Sequence, residues 1–166
     1  MRIFVTIGTQ EPFDRLIKAV DQIAAEHKEV EFIAQTVNSG YVVQHMKTFD
    51  FIAPEEYDTM LSDSSLIVSH AGMGTIISAL QINKPILVLS RIARLGEHRN
   101  EHQLATAKKM KELNFVHVAN DENDLKNKLN LFLEEQKSLF SLYQLGKNAS
   151  PELIKSIRNF IQNKET

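Results

Sequence analysis

Leu66-Ile67-Val68-Ser69-His70-Ala71-Gly72-Met73-Gly74-Thr75 is the stretch that decides how this chain reads. A short apolar strand runs into a turn holding two glycines, and Thr75 then leads a helix carrying Ile76, Ile77, Ala79 and Leu80. Glycine lets a backbone approach a ligand closely, and the first amides of a helix have no intrahelical partner. Together with the positive end of the helix dipole, those N–H groups form a seat for phosphate. The same residues would also serve a plain tight strand-to-helix connection. The turn lacks a P-loop lysine and the first strand lacks G-x-G-x-x-G, so neither an ATPase nor an NAD enzyme is expected.

Outward from this unit, strand-like apolar runs alternate with helical periodicity, the signature of an α/β fold on a parallel sheet. Ile3 to Ile7 reads as a buried first strand ended by Gly8-Thr9-Gln10. Pro12 suits a first helical turn, and Phe13, Leu16, Ile17, Val20, Ile23 and Ala24 follow at helical spacing. Val30 to Ala34 is a second strand, Thr36 to Lys47 a loop without clear pattern, and Phe49 to Ala53 a third strand closed by Pro54. Glu55 to Ser62 reads as a short helix, Leu66 to Ser69 as the fourth strand, Gly74 to Ile82 as a helix, and Pro85 to Leu89 as the fifth strand. A polar loop over Ser90 to Arg99 precedes a helix over Glu101 to Leu113, and Phe115 to Ala119 is the sixth strand. Asp121 caps a helix with Leu125, Leu129, Phe132 and Leu133 on one face, and a last helix over about 150–163 packs on the rest. The expectation is one domain over 1–166, a Rossmann-like open parallel sheet of about six strands with helices on both faces.

Composition narrows the function. At 166 residues, with 43% hydrophobic and 24% charged residues, the chain is long enough to bury a core unaided. A net charge of −2 offers no basic stripe for nucleic acid. The absence of cysteine excludes disulfides, thiolate zinc sites and cysteine nucleophiles. The apolar run at the N-terminus is too short for a signal peptide, and no run reaches the length of a membrane span, so a cytoplasmic protein is expected.

In open parallel sheets ligands lie beyond the carboxyl ends of the strands, which brings three segments to one rim. They are Gly8-Thr9-Gln10, the Ser69 to Thr75 turn with Gly72, Met73 and Gly74, and the Ser90 to Gln103 loop. His70, at a strand end, is placed to donate to a phosphate or stabilise a leaving group, or else to hold two loops together. Gly96-Glu97-His98-Arg99-Asn100-Glu101-His102-Gln103 is rich in side chains that bond sugar hydroxyls or phosphates. His98 and His102 share a face if this region is helical, but H-E-x-x-H and a third ligand are both missing, so no metal is expected. Arg91, Arg94 and Arg99 form a group that would counter a diphosphate, or else are simply solvated.

Taken in order, Phe4-Val5-Thr6-Ile7-Gly8-Thr9, Phe13-Asp14-Arg15-Leu16-Ile17, the Leu66 to Thr75 stretch, Lys84-Pro85 and His102-Gln103-Leu104 resemble a known family. The chain is similar to the C-terminal, donor-binding half of family 28 glycosyltransferases, which have the two-domain GT-B fold. It looks most like stand-alone versions of that half. These are the catalytic subunit of the two-subunit transferase of dolichol-linked GlcNAc2 synthesis, and paired transferase subunits of bacterial capsule and exopolysaccharide synthesis. Gly96-Glu97-His98 followed by His102-Gln103 points to the bacterial members. The resemblance implies a UDP-sugar donor with its diphosphate at the glycine turn and its sugar near His102-Gln103, and neither metal nor other cofactor. It also implies a membrane-anchored partner subunit that brings a lipid-linked saccharide acceptor, recruiting this chain to the inner face of the cytoplasmic membrane. Many relatives carry Glu where this chain has Ser78, and eukaryotic relatives carry Glu where it has Ala105; Glu97 is a candidate substitute.

The leading expectation is a hexosyltransferase subunit using Gly8, Thr9, Gln10, Gly72, Met73, Gly74, Thr75, Glu97, Arg99, Asn100, His102 and Gln103 for substrate, with His70 and His98 as candidate catalytic groups. The alternative is a non-catalytic nucleotide-sugar-binding or regulatory subunit. An epimerase of the related two-domain fold would need a second copy to complete its cleft.

Overall fold

A computed structural model describes residues 1–134. Its strands are β1 (Arg2–Thr6), β2 (Glu31–Gln35), β3 (Lys47–Phe49), β4 (Leu66–His70), β5 (Ile86–Leu89) and β6 (His117–Ala119). The helices between and after them are α1 (Asp14–Glu26), α2 (Pro54–Asp63), α3 (Met73–Gln81), α4 (His102–Glu112) and α5 (Glu122–Leu133), with one 3-10 turn at Ala93–Leu95. The sheet runs β3-β2-β1-β4-β5-β6, and every pair is parallel. This is the Rossmann-like α/β sheet expected from the alternation of runs.

A sheet covered on both faces needs apolar residues at successive positions rather than at alternate ones. Ile3 and Val5, Leu66 and Val68, Leu87 and Leu89 pack with α1 and α5. Phe4, Ile67, Ile86 and Val88 point the other way, into a second cluster with α2, α3 and α4. There Tyr57 meets Phe4 edge to face, with ring centroids 5.4 Å apart. Leu16, Ile17, Val20 and Ile23 on α1 are essentially inaccessible, and each contributes about 1.5–3 kcal/mol through burial.

The helix ends are set by asparagine. α3 stops where Asn83 takes φ 56°, with Asn83 N–H donating to Leu80 O at 3.1 Å and Lys84 N–H to Ala79 O at 2.9 Å. α4 stops in the same way at Asn114, with Asn114 N–H on Lys111 O and Phe115 N–H on Met110 O, both at 2.9 Å. Asparagine tolerates the left-handed conformation that this double-bonded helix terminus requires.

The third strand departs from its expected place. Phe49 to Ala53 has the composition of a strand, yet pairing ends at Gln35 with Phe49 and begins at Ile33 with Lys47. Beyond Phe49 the backbone leaves the sheet to reach Pro54, the first residue of α2; Phe51 is 68% exposed, and Ile52 alone turns back into the core. Lys47 and Thr48 form an exposed edge strand, where charge blunts unwanted pairing. The segment before it is fixed by α1. Asp14 accepts from Ser39 Oγ (2.7 Å) and Gly40 N–H (3.1 Å). Two turns further along the same face, fully buried Asp21 accepts from Tyr41 O–H (2.9 Å), Gln44 N–H (3.1 Å) and His45 N–H (2.7 Å). The helix expected over 150–163 lies outside the described residues.

Candidate functional site

β1 and β4 are neighbours from which the chain winds outward in opposite directions, so a crevice opens between the loops that follow them. A cavity of about 320 Å³ occupies it. Gly8, Thr9 and Gln10 line it from β1, and His70, Gly72, Gly74 and Thr75 from the β4 turn. His98, His102 and Gln103 line it from the segment after β5. The three expected rim segments are therefore brought together. Ile7, Glu11 and Arg91 line it as well. Nothing in the sequence marks Ile7 or Glu11, whereas the position of Arg91 just past β5 is a usable signal.

Four expected ligands are not among the lining residues. Met73 is the first residue of α3, with a side chain 44% exposed. Glu97 has its carboxylate occupied: Arg15 donates to it from Nε (2.7 Å) and Nη2 (3.0 Å), and Ile92 N–H adds a third bond at 2.8 Å. Asn100, one residue before the N-cap Glu101, accepts from His102 N–H, the first amide of α4, at 3.2 Å. Arg99 is exposed, as is Arg94, while Arg91 is buried, and of the three only Arg91 lines the cavity. Ser78 lines a separate hollow with Asp58, Ser62 and Gln81, and Ala105 is exposed on α4.

α3 enters the crevice by its amino end, which like those of α1, α2 and α4 has no side-chain cap from its N-cap residue. Its cap residue is Gly72, no side chain caps it, and its first turn carries no acid. By contrast α5 has Asp121 accepting from Asp124 N–H, with further acids in its first turn. The positive end of the α3 dipole is thus left for a ligand. Gln103 is buried and accepts through Oε1 from Arg91 N–H (3.2 Å), which leaves its amide NH2 as the group on offer.

His70 is wedged between the glycine turns. A Cβ on Gly72 would lie 2.2 Å from His70 Nε2, and a Cβ on Gly8, which has φ +79°, would lie 3.1 Å from Cε1. Ser69 O–H donates to Thr6 O (2.8 Å) and lies 3.3 Å from His70 Nδ1. With the serine proton committed, Nδ1 carries the imidazole proton and Nε2 is left as the acceptor. Burial, and after it the charge of Arg91, push the His70 pKa down to about 4; the Thr6 carbonyl opposes this and His98 adds to it. The imidazole is therefore neutral near pH 7.

An acid-stability prediction follows from that shift. Between pH 4 and the ordinary histidine value of 6.5, the unfolded chain holds a proton at His70 that the folded chain does not. Stability therefore falls as pH drops through this window, by about 3 kcal/mol in all. Denaturant titrations of wild type and His70→Asn at pH 7, 5.5 and 4.5 check it: over this range the variant's decline is shallower by about 2 kcal/mol, and parallel declines would refute the assignment.

His98 and His102 meet edge to face with centroids 4.5 Å apart, and His102 Nδ1 bonds Asn100 Oδ1. Among the described residues, no three His or carboxylate side chains are grouped to hold a metal ion. No helix among them is long and apolar enough to cross a membrane.

Residues 2–159 match the model of the glycosyltransferase family 28 C-terminal domain. The UDP-N-acetylglucosamine transferase subunit ALG13 of Debaryomyces hansenii is 26% identical over 90 residues, 49% of this chain and 42% of that protein. The NMR solution structure of ALG13 superposes with a TM-score of 0.57 at 24% identity, covering 81% of this chain and 86% of that one. The crystal structure of Os79 from O. sativa in complex with UDP gives a TM-score of 0.61 at 11% identity, covering 82% of this chain and 32% of that one. These structural likenesses are likenesses of fold, and the curated relative is matched over less than half its length.

Proposed function

The chain belongs to the glycosyltransferase family 28 C-terminal domain family, and from that premise we propose that it is the donor-binding catalytic subunit of a UDP-sugar-dependent glycosyltransferase. The observation that carries this reading is the meeting of three loops in one crevice with the uncapped amino end of α3. The diphosphate lies against the first α3 amides and Thr75, where fixed dipoles stabilise the charge that develops on the leaving group. The sugar, of hexose type, lies toward His102 and Gln103. In the transfer, an acceptor hydroxyl oxygen bonds to the sugar C1 while the bond from C1 to the diphosphate oxygen breaks, and UDP leaves with the electron pair. The hydroxyl proton passes to a base. His70, neutral with Nε2 as an acceptor, and His98 are the candidates on this chain, and a group on a partner is the alternative.

The ALG13 relative is named as a subunit, which supports a partner chain for this one. We place the acceptor, a lipid-linked saccharide of capsule or exopolysaccharide assembly, on a membrane-anchored partner at the cytoplasmic face. Calorimetry of the full chain with UDP tests the donor site directly. Saturable binding is expected, weakened about tenfold in Gln103→Ala, which removes a donor from the ligand and an acceptor from Arg91 N–H. No heat with UDP at millimolar concentration would remove the reading. UDP-sugar binding without transfer in the presence of the co-expressed partner would favour a non-catalytic, regulatory subunit instead.

A further inference from the structure

Arg91 stands two residues past β5 and is 3% exposed. Nη1 donates to Pro12 O (2.7 Å) and Glu97 O (3.2 Å), and Nη2 to Ile7 O (3.0 Å) and Glu11 O (2.7 Å). Those bonds take up all the terminal guanidinium protons and leave only Nε–H. Three of the carbonyls belong to the segment after β1 and the fourth to the segment after β5, so one side chain ties the two lips of the crevice together. The guanidinium also lies 4.8 Å from the centroid of the Phe13 ring, and Arg15 braces the same join through Glu97 and Ser90 O.

The chemistry of this brace is peculiar. Its partners are neutral dipoles, and among the described residues no carboxylate oxygen comes within 4 Å of the Arg91 nitrogens. Burial costs a cation much of its hydration and lowers the Arg91 pKa; main-chain carbonyls replace part of that hydration, while the carboxylates of Glu11 and Glu97 favour the charge from beyond bonding distance. The charge is still felt in the cavity that Arg91 lines, where it helps to lower the His70 pKa, while all four Nη protons are committed to the carbonyls.

We propose that Arg91 is a positioning residue that fuses the Gly8 to Pro12 and Arg91 to Gln103 segments into one wall and gives that wall a fixed positive charge toward the donor diphosphate, without itself bonding the ligand. This rests on the donor-binding reading above. The same charge bears on His70, which faces Arg91 and His98 as its charged or titratable neighbours and is held neutral in part by Arg91.

The test uses the full chain as wild type, Arg91→Lys and Arg91→Met. It reads UDP affinity by calorimetry, amide exchange of residues 8–11, and the His70 titration by NMR. Lysine keeps a charge but cannot span divergent carbonyls, so Arg91→Lys weakens UDP about tenfold and speeds exchange while the His70 titration stays low. Arg91→Met orphans the carbonyls and removes the charge, weakening UDP about a hundredfold and moving the His70 titration upward. Unchanged affinity and exchange in Arg91→Lys would overturn the wall. Equal losses in both variants with an unmoved His70 titration would overturn the role of the charge. Should Arg91→Met fail to fold, Arg91→Gln takes its place with the same expected direction. If wild type binds no UDP, the donor reading fails on its own, and exchange and the His70 titration still judge Arg91.

Discussion

Replacing Gly72 by alanine removes nucleotide binding and leaves the fold in place, with UDP affinity falling about a hundredfold or more. The new Cβ would sit 2.2 Å from His70 Nε2 and 2.7 Å from Cε1, so the ring must move. Its way out is restricted, because the ring already touches the Gly8 turn. The backbone at Gly72, φ −87° and ψ 128°, is open to any residue, so alanine brings no conformational strain. What changes is the imidazole and the space above the α3 amides. Gly74 is the informative contrast. A Cβ there meets nothing within 4 Å, and its residue lies inside α3. Gly74→Ala is therefore expected to raise stability by up to about 1 kcal/mol. The open space beside Gly74 belongs to the crevice, so the same change weakens UDP binding. Denaturant unfolding and calorimetry on both variants decide the matter. Wild-type affinity in both would mean that no phosphate sits on α3.

Asp21→Ala gives the largest expected loss of stability, about 3–5 kcal/mol. The carboxylate is fully buried and accepts from the Tyr41 hydroxyl and the Gln44 and His45 amides, so its removal strands donors in a dry place. Whole domains are stable by only about 5–15 kcal/mol, which makes this a large fraction. Asp21→Asn is a gentler probe, since it keeps the shape but turns one acceptor into a donor. The Tyr41 phenol titrates above its ordinary range because of the hydrogen bond to Asp21, its burial and the carboxylate charge, so its titration falls in either variant. A loss in Asp21→Ala below about 1 kcal/mol would show that the segment before β3 is held by something else.

Asp21 also shows where sequence reading stops. The apolar runs of β1, β4 and β5 announce themselves because both faces of those strands are buried, and the rim segments then follow from the carboxyl-end rule. β3 hides because an edge strand needs no apolar residue: Lys47 reads as the end of a loop, and the apolar Phe49-to-Ala53 run carries the strand composition although only Phe49 pairs. The segment before β3 looks patternless because the groups that order it, Asp14 and Asp21, sit on a distant helix. Local periodicity gives no reason for an acid to be buried there. Glu97 drew attention as a sugar ligand for its residue type and place. Its partner Arg15 is 82 positions away, and only the folded chain reveals that the carboxylate is occupied. Arg91 was visible as a charge, but its four carbonyl acceptors could not be foreseen, because main-chain oxygens carry no mark in a sequence.

The pairing of β1 with β4, Ile3 beside Leu66 and Thr6 beside Ser69, has a temporal meaning. During synthesis the first strand emerges about sixty residues before the neighbour it needs on that side, and the loop carrying Gln103 comes later still. Contacts so far apart in the chain form slowly, because closing the intervening length costs entropy before any contact rewards it. The crevice is consequently among the last features to be completed, because Arg91, His98, His102 and Gln103, which close it, are made after both turns. A ligand that binds there recognises only the finished sheet, so under the donor-binding proposal UDP would lengthen the folded lifetime of each completed molecule.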